Sequence, residues 1–230
     1  MKTKISLLTL VLFGFFFSLN GKEVTAGGFG GFTFSTIYND YTNLNTNLQN
    51  AGYSTIEKGF YFGKDGIGYG IFNNVLIGGS GVSSQITTES GTNSATVKCE
   101  GGYFDIGYLF SPIDYVSFFP VLGFGSMNYS LDLHPSIGDT NFDSLLVNPG
   151  RISTISNSSF SISFSGNIMF RLPFPGKYSF LGLVIGGGYA LTPSFGSWKT
   201  SDGSVVNQGP TMPIGVPFAK ASVVFGGGIF

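Results

Sequence analysis

Charged side chains are scarce in this chain of 230 residues, since Asp, Glu, Lys and Arg together make up 10% of it. Soluble domains typically contain roughly 25%, and a surface in contact with water depends on those charges. The 11 basic and 12 acidic residues are scattered, and the net charge is −1. Because no basic stripe is present, we expect no nucleic-acid partner.

Cysteine and histidine are almost absent, and Cys99 and His134 are their single representatives. One Cys excludes an internal disulfide framework and a metal site with several Cys ligands. The glycine-rich segments 27–31 and 186–188 lack the strand-to-helix context and the following Lys-Ser/Thr pair of a phosphate loop. The sequence therefore predicts neither a metal nor an organic cofactor.

A long apolar run occurs only at the N-terminus, at residues 5–17, directly after Lys2 and Lys4. The run is shorter than the roughly 20 residues of a membrane-spanning helix, and this pattern is typical of a secretory signal peptide. We predict a signal peptide over residues 1–26, cleaved after Gly21 or Ala26, and one domain over residues 27–230. No later apolar run reaches 18 residues, which argues against a helical membrane protein.

Glycine and aromatic residues are abundant, with 36 Gly, 25 Phe and 11 Tyr, and the apolar ones recur at every second position. The clearest case is residues 159–172, where Phe, Ile, Gly and Leu alternate with mostly Ser, Asn, Met and Arg. Fourteen residues at period two cannot form an amphipathic helix. This segment is therefore predicted to be a strand with one apolar and one polar face.

The same alternation predicts about eight strands. The other seven segments are 28–38, 59–63, 67–88, 102–110, 123–133, 179–191 and 219–229. Turn chemistry predicts turns at 64–66, 90–93, 111–114 and 173–176. Three long connections remain, approximately 39–58, 134–157 and 192–217. Leu44, Leu48 and Ala51 indicate a short helix in the first, and residues 142–147 indicate another in the second.

The polar face of the strands distinguishes a membrane barrel from a soluble sandwich. In a sandwich that face is wet and carries Lys, Glu, Thr and Arg, whereas here it carries Ser, Gly and Asn. Small polar residues suit the narrow interior of an eight-stranded barrel, and closure removes the unpaired strand edges that hydrocarbon does not tolerate. We predict an all-β fold: a closed, antiparallel, up-and-down transmembrane β-barrel with short periplasmic turns and three long outer loops.

The signal peptide, the alternating segments and a last strand that ends at Phe230 resemble the small outer membrane β-barrel proteins of bacteria. In that family a C-terminal aromatic residue is the signal that the barrel-assembly machinery recognises. Phe230 matches, whereas Gly226 and Gly228 stand where the family usually has bulky apolar residues. The resemblance implies a bacterial outer membrane location, with outer membrane lipid and the assembly machinery as partners. It leaves the activity and the oligomeric state open.

Few residues are candidates for chemistry. His134 has Asp132, Asp139 and Asp143 nearby in sequence, and barrels that resemble lipid A acylases and deacylases use a His and a Ser at the outer rim. No readable spacing places a nucleophile beside His134, so we expect no enzyme. Trp198 with Phe195, and Tyr38 with Tyr41, are expected in an aromatic girdle at the lipid interface.

Three charged residues belong to the polar faces of predicted strands and are candidate lumen charges: Asp105, Arg171 and Lys220. Buried charges need partners, so we expect an interior salt-bridge network; the alternative is a selectivity element or a proton path. The sequence favours a non-enzymatic barrel that acts in the envelope or in surface contacts through its loops. The alternatives are a passive small-solute pore, a lipid-modifying enzyme and a secreted soluble β-sandwich binding protein.

Overall fold

A computed structural model describes residues 24–91, 93–135, 153–173, 178–207 and 209–229. Eight long strands are β1 (Ala26–Asn39), β2 (Gly59–Phe72), β3 (Val75–Ser90), β4 (Asn93–Tyr108), β6 (Val116–His134), β7 (Ser153–Pro173), β8 (Ser179–Leu191) and β11 (Gly215–Ile229). The short elements are β5 (Phe110–Ile113), β9 (Trp198–Thr200), β10 (Val205–Val206) and the helix α1 (Thr42–Asn50). No helix among the described residues is both long and apolar enough to cross a membrane.

The eight long strands form one closed sheet. Neighbours along the chain pair with each other, β4 pairs with β6, and β1 pairs with both β2 and β11. Every pairing is antiparallel. The predicted closed, up-and-down, eight-stranded barrel is therefore confirmed, and the alternative sandwich fold is wrong because the two ends of the sheet meet at β1 and β11.

The strand register fixes the tilt of the barrel. We can follow the paired residues around the barrel from Ile67 in β2. Through β3, β4 and β6 they lead to Ser161 in β7, and through β1, β11 and β8 they lead to Arg171 in the same strand. These two positions are ten residues apart along one strand. An offset of this size over eight strands corresponds to a tilt of about 40°, at which side chains fill the interior.

The alternating faces point as predicted. In β7, Phe160 is 56% exposed on the outside, whereas Ser161 is fully buried inside. Exposed apolar side chains continue around the outer wall on all the long strands, including Phe32, Phe62, Phe72, Ile77, Phe104, Phe124, Phe170, Ile185 and Phe225. At this tilt they cover a belt roughly 25 Å high.

One predicted turn is wrong. Residues 64–66 lie inside β2, where Lys64 pairs with Phe34 of β1 and Asp65 pairs with Thr33. The predicted strand 67–88 is instead the end of β2, a tight turn at Asn73 and Asn74, and β3. Asp-Gly is a common turn sequence, but here the ladder with β1 holds it extended, and the two Asn residues adopt the positive φ that the turn requires.

The remaining turns and helices have mixed outcomes. Ser90 pairs with Asn93 across the predicted 90–93 turn, which is confirmed. The predicted 111–114 turn is displaced, because residues up to Ile113 form β5 and the chain turns at Asp114 and Tyr115. The first predicted helix is confirmed as α1. The second, at 142–147, lies outside the described residues, as does most of the predicted turn at 173–176.

Two apolar clusters fill the ends of the barrel. We call the end at which β1, β6 and β8 finish the loop end, and the opposite one the turn end. The turn-end cluster contains Val24, Phe29, Tyr69, Leu76, Phe119, Met169, Phe180 and Val224. The loop-end cluster contains Ile37, Tyr41, Leu44, Leu48, Val97, Tyr129, Trp198 and Phe218. Polar side chains lie between the two clusters.

Candidate functional site

Helix α1 closes the loop end of the barrel. Its leucines Leu44 and Leu48 lie one turn apart and are both buried in the loop-end cluster, together with Tyr41 just before the helix. The Asn45 side chain pins the rest of the loop to the helix, because its Oδ1 accepts from Ile56 N and its Nδ2 donates to Ile56 O, both at 2.8 Å. The first long loop is therefore a packed plug of the barrel mouth.

The start of α1 is fixed by a local turn at Asp40. Its Oδ1 accepts hydrogen bonds from Thr42 N at 3.0 Å and from Thr42 Oγ1 at 2.5 Å. These donors stabilise the ionised carboxylate, so they lower the pKa of Asp40 below its ordinary value. The carboxylate thus satisfies one of the free N–H groups of the first turn.

The loop between β8 and β11 also packs into the barrel mouth. Strands β9 and β10 form a small hairpin that pairs with the loop end of β7. Trp198 is buried in the loop-end cluster and donates from Nε1 to Pro210 O at 2.8 Å. Phe195 packs against the same cluster. The predicted lipid-interface girdle is therefore wrong for Trp198, Phe195 and Tyr41, because their rings fill the barrel mouth.

His134 ends β6 at the rim of the loop end. Its neighbour Asp132 accepts from Thr154 Oγ1 at 2.8 Å and pairs with Lys98 Nζ at 3.1 Å. Among the described residues no hydrogen bond joins His134 to a serine hydroxyl. Asp139 and Asp143 lie outside the described residues. The described rim thus shows a salt bridge beside His134 and no placed nucleophile.

The candidate lumen charges are all buried on the inner face, but they do not form one group. Asp105 is 1% and Lys220 is 4% exposed. Asp105 Oδ2 accepts from Tyr69 OH at 2.7 Å, and Lys220 interacts electrostatically with Asp105 and Asp65. Arg171 lies at the turn end and interacts with Asp114 instead. The geometry joins Asp105 and Lys220 in a central polar layer and separates Arg171 from them.

Hydroxyl and amide groups complete this central layer. Thr33 Oγ1 and Ser222 Oγ lie 2.7 Å apart, and Tyr103 OH lies 3.2 Å from Ser161 Oγ. Asn167 Nδ2 donates to Phe119 O at 3.1 Å. In the described part of the barrel, the lumen is thus filled in succession by an apolar cluster, a polar layer and a second apolar cluster.

A polar notch interrupts the outer wall between β2 and β3. The ladder joins residues 67–72 to 75–80 and does not continue toward the loop end. Above it, Ser83 N donates to Ser35 Oγ of β1 at 2.9 Å, and Ser83 Oγ donates toward Asp65 Oδ2 at 3.1 Å. Side chains thus replace the missing ladder and hold β3 beside β1.

The notch forms an open cavity of about 420 Å³, a volume within the range of small-ligand sites. It is lined by five polar residues and two glycines: Lys64, Asp65, Ser83, Glu100, Asn128, Gly101 and Gly102. This cavity was not predicted from the sequence, because the predicted turn residues Lys64-Asp65-Gly66 lie inside a strand. One pattern in the sequence would have predicted this strand: Phe60, Phe62 and Lys64 follow at every second position, so the strand alternation continues through the predicted turn.

No group of three or more His, Cys, Asp or Glu in the described part of the chain could hold a metal ion. The predicted assembly signal, Phe230, lies outside the described residues. Free Cys99 is buried, 3.4 Å from Met127 Sδ. Neither the loop end nor the lumen therefore presents a described catalytic constellation.

Comparison with known proteins gives similarity of shape alone. No protein family model and no curated protein sequence matches the chain. Ail, the attachment invasion locus protein of Yersinia pestis, in complex with the heparin analogue sucrose octasulfate, is 15% identical with a TM-score of 0.46, covering 90% of this chain and 99% of its own. A second structure of Ail is 18% identical with a TM-score of 0.41, covering 91% and 100%. Similarity at this level transfers no function.

Proposed function

We propose that this chain is a non-enzymatic barrel of the bacterial outer membrane, exported through its signal peptide, with a structural or surface-contact role. The observation that carries the proposal is the belt of exposed apolar side chains around a closed barrel. Phe32 and Phe62 alone are 82% and 76% exposed. In water such a belt would be an aggregation surface, whereas hydrocarbon solvates it, and closure satisfies the backbone.

The loop end is where surface contacts would occur. Two of its connections pack into a shared apolar core, so their outer residues are held on a rigid support. Binding functions usually reside on loops that a rigid scaffold positions. The exposed side of α1 carries hydroxyls and amides, Thr42, Asn43, Thr46, Asn47, Gln49 and Asn50.

The test of this proposal is cell fractionation followed by electrophoresis with and without boiling. We expect the mature protein in the outer membrane fraction, with a mobility that changes on heating because a closed barrel resists detergent until it is heated. Recovery from the periplasm or the medium without detergent, and without a mobility change, would contradict the membrane placement.

The filled lumen argues against the passive-pore alternative. Eight strands leave room for side chains only, and α1 adds a plug at one end. We expect no conductance from the purified protein in planar bilayers. For the lipid-modifying alternative, the corresponding observation is the lipid A of cells that lack the gene, which we expect to be unchanged.

The proposed partners are the lipid of the outer membrane and the barrel-assembly machinery. Phe230 is the residue through which we propose that the machinery recognises the last strand. A Phe230→Ala variant would then reach the outer membrane more slowly than the parent, while Phe225→Ala, a change at an outward position of the same strand, serves as the matched control.

A further inference from the structure

The polar notch places two opposite charges on the outer wall without pairing them. Lys64 and Glu100 line the same cavity. Among the described residues, the Lys64 ammonium and the Glu100 carboxylate form no ion pair with each other or with another side chain. The cavity therefore keeps two unneutralised groups of opposite sign on either side of an open space.

The setting makes these charges unusual. Lys64 lies on the lipid-facing side of β2, in register with Phe34 of β1 and two residues from Phe62, both strongly exposed apolar side chains. A Lys on the lipid face of a barrel destabilises it, most strongly at the membrane midplane and less near the interface. A ligand that neutralises Lys64 would remove that cost.

The other polar groups of the notch narrow the choice of ligand. The Asp65 carboxylate is already within hydrogen-bond distance of Ser35 Oγ, at 2.5 Å, and of Ser83 Oγ, at 3.1 Å. Glu100 is thus the carboxylate left for a ligand. With one ammonium and one free carboxylate, the notch complements a zwitterion better than a simple anion, which Glu100 and Asp65 would repel.

The two charges also have a definite order along the barrel axis. From the strand register, Glu100 lies roughly 6 Å nearer the loop end than Lys64. In a phosphoethanolamine head group the phosphate is attached to the glycerol, and the amine extends away from the membrane. That order matches the notch, in which Lys64 lies farther from the loop end and Glu100 lies nearer to it.

We propose that the polar notch binds the zwitterionic head group of a phosphoethanolamine lipid, with its phosphate at Lys64 and its ammonium at Glu100. The inference rests on the membrane placement proposed above. The Asn128 side chain lines the same space and adds a neutral hydrogen-bonding group. Charge-assisted contacts to both ends of the head group supply the selectivity.

The test is native mass spectrometry of the full mature protein released from nanodiscs that contain equal amounts of phosphatidylethanolamine, phosphatidylglycerol and phosphatidylcholine. We expect phosphatidylethanolamine to be retained preferentially, and Lys64→Gln or Glu100→Gln to reduce its retention by about threefold to tenfold. Lys98→Gln, which removes a cation outside the notch, is the matched control and should retain the lipid. Equal retention of the three lipids, or no effect of either notch variant, overturns the proposal.

The double variant K64E/E100K separates lipid recognition from a structural ion pair. If Lys64 and Glu100 only formed an ion pair with each other, exchanging the two residues would restore that pair. A lipid head group keeps its phosphate and its ammonium in the same order, so it would meet like charges in the exchanged notch and would not bind. We therefore expect a normally folded barrel, by its heat-dependent mobility, that still fails to retain phosphatidylethanolamine. Recovery of retention overturns the proposal.

A competition experiment distinguishes a lipid head group from free phosphoethanolamine. Soluble phosphoethanolamine should not displace the lipid at equal concentration; if it does, the lipid assignment is wrong. A protein that fractionates as soluble would instead refute the membrane placement itself, so the two failures are distinguishable.

Discussion

At the residue scale, two asparagines form the tight turn between β2 and β3. Asn73 and Asn74 have φ values of 46° and 66°, a region that side chains other than Asn, Asp and Gly rarely adopt. Asn74 has a second role, because its Oδ1 accepts from the N–H of Val24 at 2.6 Å and its own N–H donates to Val24 O at 3.1 Å. The turn therefore anchors Val24 and the segment that precedes β1.

Substitution of Asn74 separates these two roles. Asn74→Ala loses both the favourable left-handed conformation and the acceptor, so we expect a loss of about 2–3 kcal/mol in the free energy of unfolding. Asn74→Gly keeps the backbone conformation and loses only the acceptor, about 1 kcal/mol. Urea unfolding in lipid vesicles measures both. Equal losses for the two variants would show that backbone conformation contributes nothing at this position.

A second residue that we expect to control stability is Lys220, in the central polar layer of the lumen. Lys220 is buried and interacts electrostatically with Asp105 and Asp65, and removal of its ammonium leaves the buried Asp105 carboxylate without that compensating charge. We expect Lys220→Met to destabilise the barrel by about 3–5 kcal/mol. The double variant with Asp105→Asn should lose less than the sum of the two single losses, in the same urea assay. Additive losses would mean that Lys220 and Asp105 do not interact.

At the element scale, α1 owes its place to tertiary packing. Its nine residues are too few for a stable isolated helix in water, and its exposed face carries only hydroxyls and amides. The two leucines give it one apolar edge, and the barrel mouth supplies the surface that buries this edge. The helix therefore forms together with the loop end.

Leu48→Ala tests this coupling. Truncation of a buried leucine leaves a cavity and costs about 2–5 kcal/mol, so unfolding of the loop end should begin at a lower urea concentration. Gln49→Ala, on the exposed side of the same helix, should change the free energy by less than about 0.5 kcal/mol. Amide hydrogen exchange of residues 42–50 locates the effect. Similar exchange in both variants would contradict a packed plug.

At the scale of the whole molecule, the residues just before β1 belong to the folded barrel. Val24 is buried in the turn-end cluster, and Thr25 O accepts from Asn73 N at 3.1 Å. Cleavage of the leader after Ala26 would remove these contacts. Cleavage after Gly21 would preserve them.

We therefore predict that the mature protein begins at Lys22, which intact-mass spectrometry of the exported protein determines. A chain that starts at residue 27 should refold into a less stable barrel than one that starts at residue 22. The expected loss is about 2–4 kcal/mol, from one buried valine and the lost hydrogen bonds. A mature mass that begins at Gly27 would contradict the prediction.

The alternation of residues along the chain determined most of the strands and their outer and inner faces, and the small polar residues of the inner face indicated the closed barrel. That information is local, because a strand with one apolar face repeats every two residues whatever its neighbours are. Residues 179–191 illustrate this, since they coincide with β8, and residues 159–172 all lie within the longer β7. The burial of Asp105, Arg171 and Lys220 also follows from their positions in that alternation.

Only the tertiary structure decided which distant residues meet. The sequence placed a turn at Lys64-Asp65-Gly66, but the ladder with β1 holds these residues in β2. Trp198, a girdle residue by its sequence position, is buried beside α1. The separation of Arg171 from Lys220 and the notch between Lys64 and Glu100 depend on the register of whole strands. Register is a property of the closed sheet, so no single segment contains it.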